Sequence, residues 1–212
     1  MSEIIVKEPV IDAANEERAF ELAQRQAKVY SSSTLVPKDY QQNIGNVLIA
    51  QNMARRMQAD PLMVMQNLYI VHGKPSWSAQ FLISCFNSCG RFSAIKYRFT
   101  GAEGSPDRGC VAMTTEYSTG EVIEGPMVTM AMAKAEGWST KNGSKWLTMP
   151  ELMLRYRAAT FLIRTTAPEI GMGLQTAEEV HDTIDSVAVR QPVEKKGMPI
   201  NATELLAAVD GE

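Results

Sequence analysis

The densest chemistry in the sequence is a set of six cations between positions 134 and 164. Lys134, Lys141, Lys145, Arg155, Arg157 and Arg164 face only two carboxylates there, Glu136 and Glu151. Two of the lysines lie in GWSTKNGSKW (137–146), which also supplies Trp138, Ser139, Asn142 and Trp146. Basic residues interleaved with rings and small donors suit a nucleic-acid groove: ammonium groups meet phosphate, hydroxyl and amide groups meet the sugar–phosphate chain, and rings pack or touch bases. Trp146 also reads as core packing, because it stands just before a helix start. Farther on, Arg157 and Arg164 share one helical strip with Thr160 and have no acidic residue three or four positions away. That spacing suits successive phosphates on a strand, or else ion pairs to the acidic C-terminal segment. Arg155, one turn after Glu151, is expected to be taken up in an i,i+4 pair. Lys96 and Arg98 on one strand face and Lys74 in a turn are further, weaker candidates.

Other chemistries find less support. There is no GxxxxGK[ST] phosphate loop, and Gly143-Ser144-Lys145 lacks the strand–loop–helix context that such a cradle needs. Cys85 and Cys89 form a lone C-x₃-C pair, and the two histidines, His72 and His181, lie 109 positions apart. Four zinc ligands do not present themselves. A magnesium-dependent nuclease would want carboxylates clustered beside the basic surface, where only Glu136 and Glu151 are at hand. The expectation is therefore a binding protein with no catalytic residue, metal or cofactor.

These side chains need elements to hold them. AANEERAFELAQRQAKV (13–29) reads as a helix with Phe20, Ala23 and Ala27 inward. A second helix is expected from Pro37 to about Met57, burying Ile44, Val47, Leu48 and Ala54, and a short one after Asp60-Pro61. LYIV (68–71) is a strand-like run, HGKP (72–75) a turn, and 76–89 a helix carrying Trp77, Phe81 and Cys85 on one side. Three strands should follow as an antiparallel meander: 92–99, 110–117 and 121–130, with Pro126 marking a bulge or an edge. After a short helix at 130–136 comes the clearest helix of the chain, opened by the capping box TMPE (148–151) and ended by Pro168. A second capping box, TAEE (176–179), opens a helix to about Ser186.

The chain has 212 residues, 45% of them hydrophobic and 21% charged, with a net charge of −3. These values suit one sizeable α+β domain. The expected division is a loose arm at 1–12, a domain at 13–187 and a flexible tail at 188–212. Charge is uneven: six basic and two acidic residues in 134–164 are followed by three basic and nine acidic ones in 165–212. No apolar run is long enough for a membrane span, and the acidic, interrupted N-terminus is unlike a signal peptide. Three cysteines, an odd number, suit a reducing cytoplasm.

An ordered motif series adds to this reading. Val36-Pro37 with Tyr40 is followed by Ala59-Asp60-Pro61, then LYIVHGKPSWSAQFLI and Gly90-Arg91-Phe92. The basic loop and Lys145-Trp146 lead to MPELM (149–153), RYRAA (155–159) and finally TAEEV (176–180). Over roughly residues 30–182 the sequence resembles the RecT/Redβ superfamily of phage single-strand DNA annealing proteins, closer to its RecT side. The resemblance implies an α+β core in which a small antiparallel sheet precedes a long helix. It implies ATP-independent binding of single-stranded DNA and nascent duplex, annealing of complementary strands during recombination, and assembly of copies into rings or filaments. It further implies a phage exonuclease and a host single-strand DNA-binding protein as partners, in the cytoplasm of a bacterial host. By motif position it assigns DNA contact to Arg157, Thr160 and Arg164 on the helix and to Lys134, Lys141 and Lys145 before it. The alternatives are a passive single-strand DNA-binding protein or a metal-dependent nuclease.

Overall fold

The computed structural model describes the backbone of residues 13–188 and the side chains of 15–183. The expected arm at 1–12 and all of the expected tail beyond residue 188 lie outside the described residues. The fold is α+β, with small antiparallel sheets among helices. Among the described residues, no helix is long and apolar enough to cross a membrane.

The first part of the chain is helical. α1 (Ala13–Ser32) packs on α2 (Ile44–Met57), and α3 (Pro61–Asn67) follows. Ala23 and Ala27 are buried on α1 as their spacing predicts, but Phe20 is 57% exposed. The second helix begins later than expected: Pro37 leads only a 3-10 turn at Lys38–Tyr40, and Asn43 then caps α2 by accepting from the Asn46 N–H at 3.0 Å. The expected inward face largely holds, with Leu48 half-buried. Val47, Ala50, Gln51 and Ala54 are buried, whereas Ile44 is 37% exposed.

The structure corrects the reading of 72–78. β1 (Leu68–Val71) pairs with β2 (Lys74–Trp77), so what reads as a turn followed by a helix is a hairpin. His72 and Gly73 take φ values of 50° and 78°, the paired positive φ of a two-residue hairpin turn. The helix α4 (Ala79–Ser88) starts only after Ser78, whose hydroxyl accepts from the Phe81 N–H at 3.1 Å. Trp77 is fully buried beneath this hairpin and donates its indole N–H to the Gly171 carbonyl at 3.2 Å.

The meander forms, with its third strand broken. β3 (Lys96–Thr100) and the central β4 (Gly109–Thr115) pair in register from Lys96↔Met113 to Thr100↔Gly109. On the other edge of β4 lie β5 (Val122–Glu124) and β6 (Val128–Thr129), separated at Gly125-Pro126-Met127. The break contains Pro126, which has no N–H to donate to the ladder, in line with the expected bulge or edge. A Cβ on Gly125 would stand 2.9 Å from the Leu162 Cβ, so the sheet approaches the helix α7 (Pro150–Thr166) closely only because that position has no side chain. Gly125→Ala is expected to destabilise the fold by about 1–3 kcal/mol through overpacking, measurable as a lowered urea midpoint. The main core lies between this sheet, α4 and α7, and includes Phe86, Phe92, Cys110, Ala112, Leu154, Ala158 and Leu162. A second cluster under α1–α3 includes Tyr40, Val47, Met65 and Trp77.

Between sheet and long helix run α5 (Met130–Ala135), a loop, and α6 (Lys145–Thr148). The expected TMPE capping box does not form. Thr148 ends α6, Met149 occupies the N-cap of α7 without a side-chain bond, and Glu151 turns to Arg108 instead. After α8 (Pro168–Gly171), the TAEE box opens α9 (Ala177–Ala188) as expected. Glu179 accepts from the Thr176 N–H at 3.0 Å, and Thr176 accepts from the Glu179 N–H at 3.3 Å.

Candidate nucleic-acid interface

The strip of α7 that carries Arg157, Thr160 and Arg164 is not open. α9 lies over it and brings Glu179 and Asp182 against the helix. Arg157 is 4% exposed and bonds Asp182, which also accepts from the Trp146 indole N–H at 2.9 Å. Its guanidinium stands 4.0 Å from the centre of the Trp138 ring. Thr160 is buried and donates back to the Tyr156 carbonyl at 2.7 Å. Arg164 is part-exposed and pairs with buried Glu179 at 2.6 Å. Of the two sequence alternatives for these arginines, the described structure takes the ion pairs to the acidic C-terminal segment. Burial pushes the Asp182 carboxyl above the usual carboxylate range and lowers the Arg157 guanidinium from its usual value. Both directions reflect desolvation, which resists charge on either partner.

Trp138 and Ser139 are also buried, so their expected place on an open groove is corrected. Trp138 packs on Trp146 at 5.3 Å between ring centres. Trp146 is 1% exposed, in keeping with its core reading. Lys141 donates to the carbonyls of His181, at 2.6 Å, and Asp182, tying the loop to α9.

The cations that remain at the surface form a different arrangement. Glu151 is drawn to Arg108, so Arg155 does not make the expected i,i+4 pair. Arg155 is exposed, with its guanidinium 5.7 Å from the Tyr97 ring centre and 5.2 Å from that of Phe99. Arg108 covers Phe99 as well, at 4.6 Å. Burial pushes the Tyr97 hydroxyl up to about 12, so the phenol stays neutral beside these cations. Arg108 also lines a cleft of about 320 Å³ together with buried Trp146 and exposed Lys134 and Leu147. Trp146 separates this cleft from a second one of about 290 Å³, rimmed by Lys141 and exposed Lys145. A belt of cations and half-buried rings therefore runs from Lys145 past Lys134 to Arg155 on Phe99 and Tyr97, interrupted by the Arg108–Glu151 ion pair and by Glu103. Such a belt can hold phosphates along one line and offer rings beside it.

Lys96 and Arg98 lie exposed on β3, but Arg98 is committed to Glu124 by two hydrogen bonds of 2.8 and 2.7 Å. Those bonds hold the Glu124 carboxyl below its usual range. Lys74 is exposed in the separate β1–β2 hairpin. The sequence reading undervalued Arg155 and did not select Arg108. The alternating aromatics Tyr97 and Phe99 beside a cation-bearing helix were the available signal. Among the described residues, no three His, Cys, Asp or Glu side chains converge to hold a metal ion. No family model, curated protein or solved structure matches the chain.

Proposed function

We propose that this protein binds single-stranded DNA and anneals complementary strands without ATP, as an assembly of copies acting in phage-type recombination in a bacterial cytoplasm. What carries the reading is the position of the surface belt. Lys134 and Lys145 lie in the segment before α7, and Arg155 on α7 itself, the two places to which the RecT-like motif series assigns DNA, even though the side chains on the helix differ. In this reading Lys134 and Lys145 keep their expected role as phosphate contacts, Lys141 borders the same surface, and Arg155 takes the role expected of Arg157 and Arg164, while Arg108 is already paired with Glu151. Lys96, on the opposite face of β3 from Tyr97 and Phe99, lies outside the belt.

The chemistry needs no catalytic group. Pairing of two bare strands is driven by stacking, worth about 1.4 kcal/mol per base-pair step. The protein has to neutralise phosphate repulsion, hold a strand with its bases accessible and retain the new duplex. Sequence-neutral cation–phosphate contacts do this. Linking protomers along the strand multiplies weak contacts through effective concentration. An exonuclease that produces the single strand and a host single-strand DNA-binding protein that first coats it are the partners this role calls for.

Mixing two complementary labelled oligonucleotides with the protein and no nucleotide cofactor tests the proposal. Faster formation of intact duplex than in protein-free controls is the expected result. Degradation in the presence of magnesium would favour a nuclease, coating with slowed pairing a passive binding protein, and strict ATP dependence would exclude the proposed mechanism.

A further inference from the structure

A groove of about 490 Å³ separates the first half of α1 from α2. The Gln42 N–H donates to the Ser31 carbonyl at 2.8 Å, setting the start of α2 beside the end of α1, so the two packed helices run antiparallel. Glu16 on α1 and Arg55 on α2 therefore flank the same end of the groove, next to the start of α1. Beyond them the walls become apolar, with Phe20 57% and Ile49 58% exposed. Glu16 and Arg55 form no ion pair with any described residue. Gln51, which also lines the groove, is only 5% exposed, and neither its amide nitrogen nor its oxygen has a hydrogen-bond partner among the described residues. Buried carboxamides are nearly always paired, so this seam is incomplete as it stands.

We propose that residues 4–8 of the same chain, Ile-Ile-Val-Lys-Glu, dock in this groove as an extended strand. The occupant is identified by tether, order and charge. The segment precedes α1 directly, and Glu16 lies one helical turn inside the start of α1 at Ala13. A chain reversing around Pro9 meets the groove at its charged end first. Lys7 and Glu8 then stand level with Glu16 and Arg55, and Ile4, Ile5 and Val6 follow beside the apolar walls. Neighbouring side chains of an extended strand point to opposite sides. Lys7 and Ile5 thus face the α1 wall, with Glu16 and Phe20, while Glu8, Val6 and Ile4 face the α2 wall, with Arg55 and Ile49. An extended backbone also offers both N–H and C=O groups, and rotation of the Gln51 side chain brings its carboxamide to them. The inference is independent of the annealing reading and uses none of the belt residues.

Hydrogen-exchange mass spectrometry on the full-length protein, with a synthetic peptide of residues 1–12 as reference, tests it. Amides of residues 5–8 should exchange at least about tenfold more slowly in the protein than in the peptide. Ile49→Asp, at an exposed position, should remove that protection while the helices keep theirs. Glu8→Arg and Arg55→Glu should each weaken it, and the two together should restore it. Exchange of 5–8 at the peptide rate overturns the proposal. So does protection that rises with protein concentration, which assigns the groove to a second copy, or protection found at 203–209 instead, which assigns it to the C-terminal segment.

Discussion

Arg157→Ala is expected to destabilise the fold by about 3–5 kcal/mol, because it leaves the Asp182 carboxylate buried without its cation. For a domain of this size the melting temperature should fall by on the order of 10 °C. The same change removes the guanidinium from the face of Trp138. Calorimetry or circular dichroism checks the size of the effect. A double replacement, Arg157→Met with Asp182→Leu, should cost less than the single one, since it removes both charges together. An Arg157→Ala protein that melts like wild type and binds DNA poorly would return this arginine to the DNA surface.

The pH dependence of that loss has a definite sign. Burial already raises Asp182 in the wild-type fold, and removing Arg157 takes away an interaction that lowers it. A carboxyl raised in the folded state favours folding when protonated and loses that advantage as pH rises through its folded pKa. The deficit of Arg157→Ala should therefore be full at neutral pH and shrink as pH falls toward the ordinary carboxyl value of about 3.9. Asp182→Asn in the same background should flatten that dependence.

How far the sequence could be read follows from the range of each interaction. Helices with strong periods were legible: α1, α7 and α9 occupy close to their expected ranges, although the box expected to cap α7 does not form and α4 starts three residues late. The alternation of Tyr97 and Phe99 with Lys96 and Arg98 marked β3. β2 was not legible, because Lys74-Pro75-Ser76 carries no strand signature and pairs only through the positive-φ turn at His72-Gly73. The charge network was misread for a related reason. Local spacing gives Glu151 to Arg155, four residues away, whereas the fold gives it to Arg108, 43 residues away. Helix angles place Arg157 on a polar strip, but they do not say that α9 comes down on that strip with Asp182 in hydrogen-bond reach. A cation surrounded by uncharged neighbours on its own helix has its partner elsewhere, on DNA or on another element, and sequence spacing alone left that choice open.

Removing Lys134, Lys145 and Arg155 together, each as Ala, is expected to abolish most single-strand DNA binding while leaving the fold intact. All three side chains are exposed, and none makes an ion pair with a described residue. About four phosphate contacts per protomer give a slope of log affinity against log salt of about −3, from roughly −0.7 per contact on single strands. Loss of three contacts should flatten that slope to about −1 and weaken binding by about two to three orders of magnitude near roughly 50 mM salt. Arg155→Ala alone should reduce affinity more than Arg98→Ala, because Arg98 is already neutralised by Glu124. Fluorescence anisotropy of a labelled oligonucleotide across a salt series reads both quantities, and a thermal melt of each variant separates binding loss from unfolding. An unchanged slope in a folded triple variant would move the interface away from the belt. The next surface to test would then be Lys74 on the hairpin together with Lys96 on β3, which are exposed and belong to separate sheets.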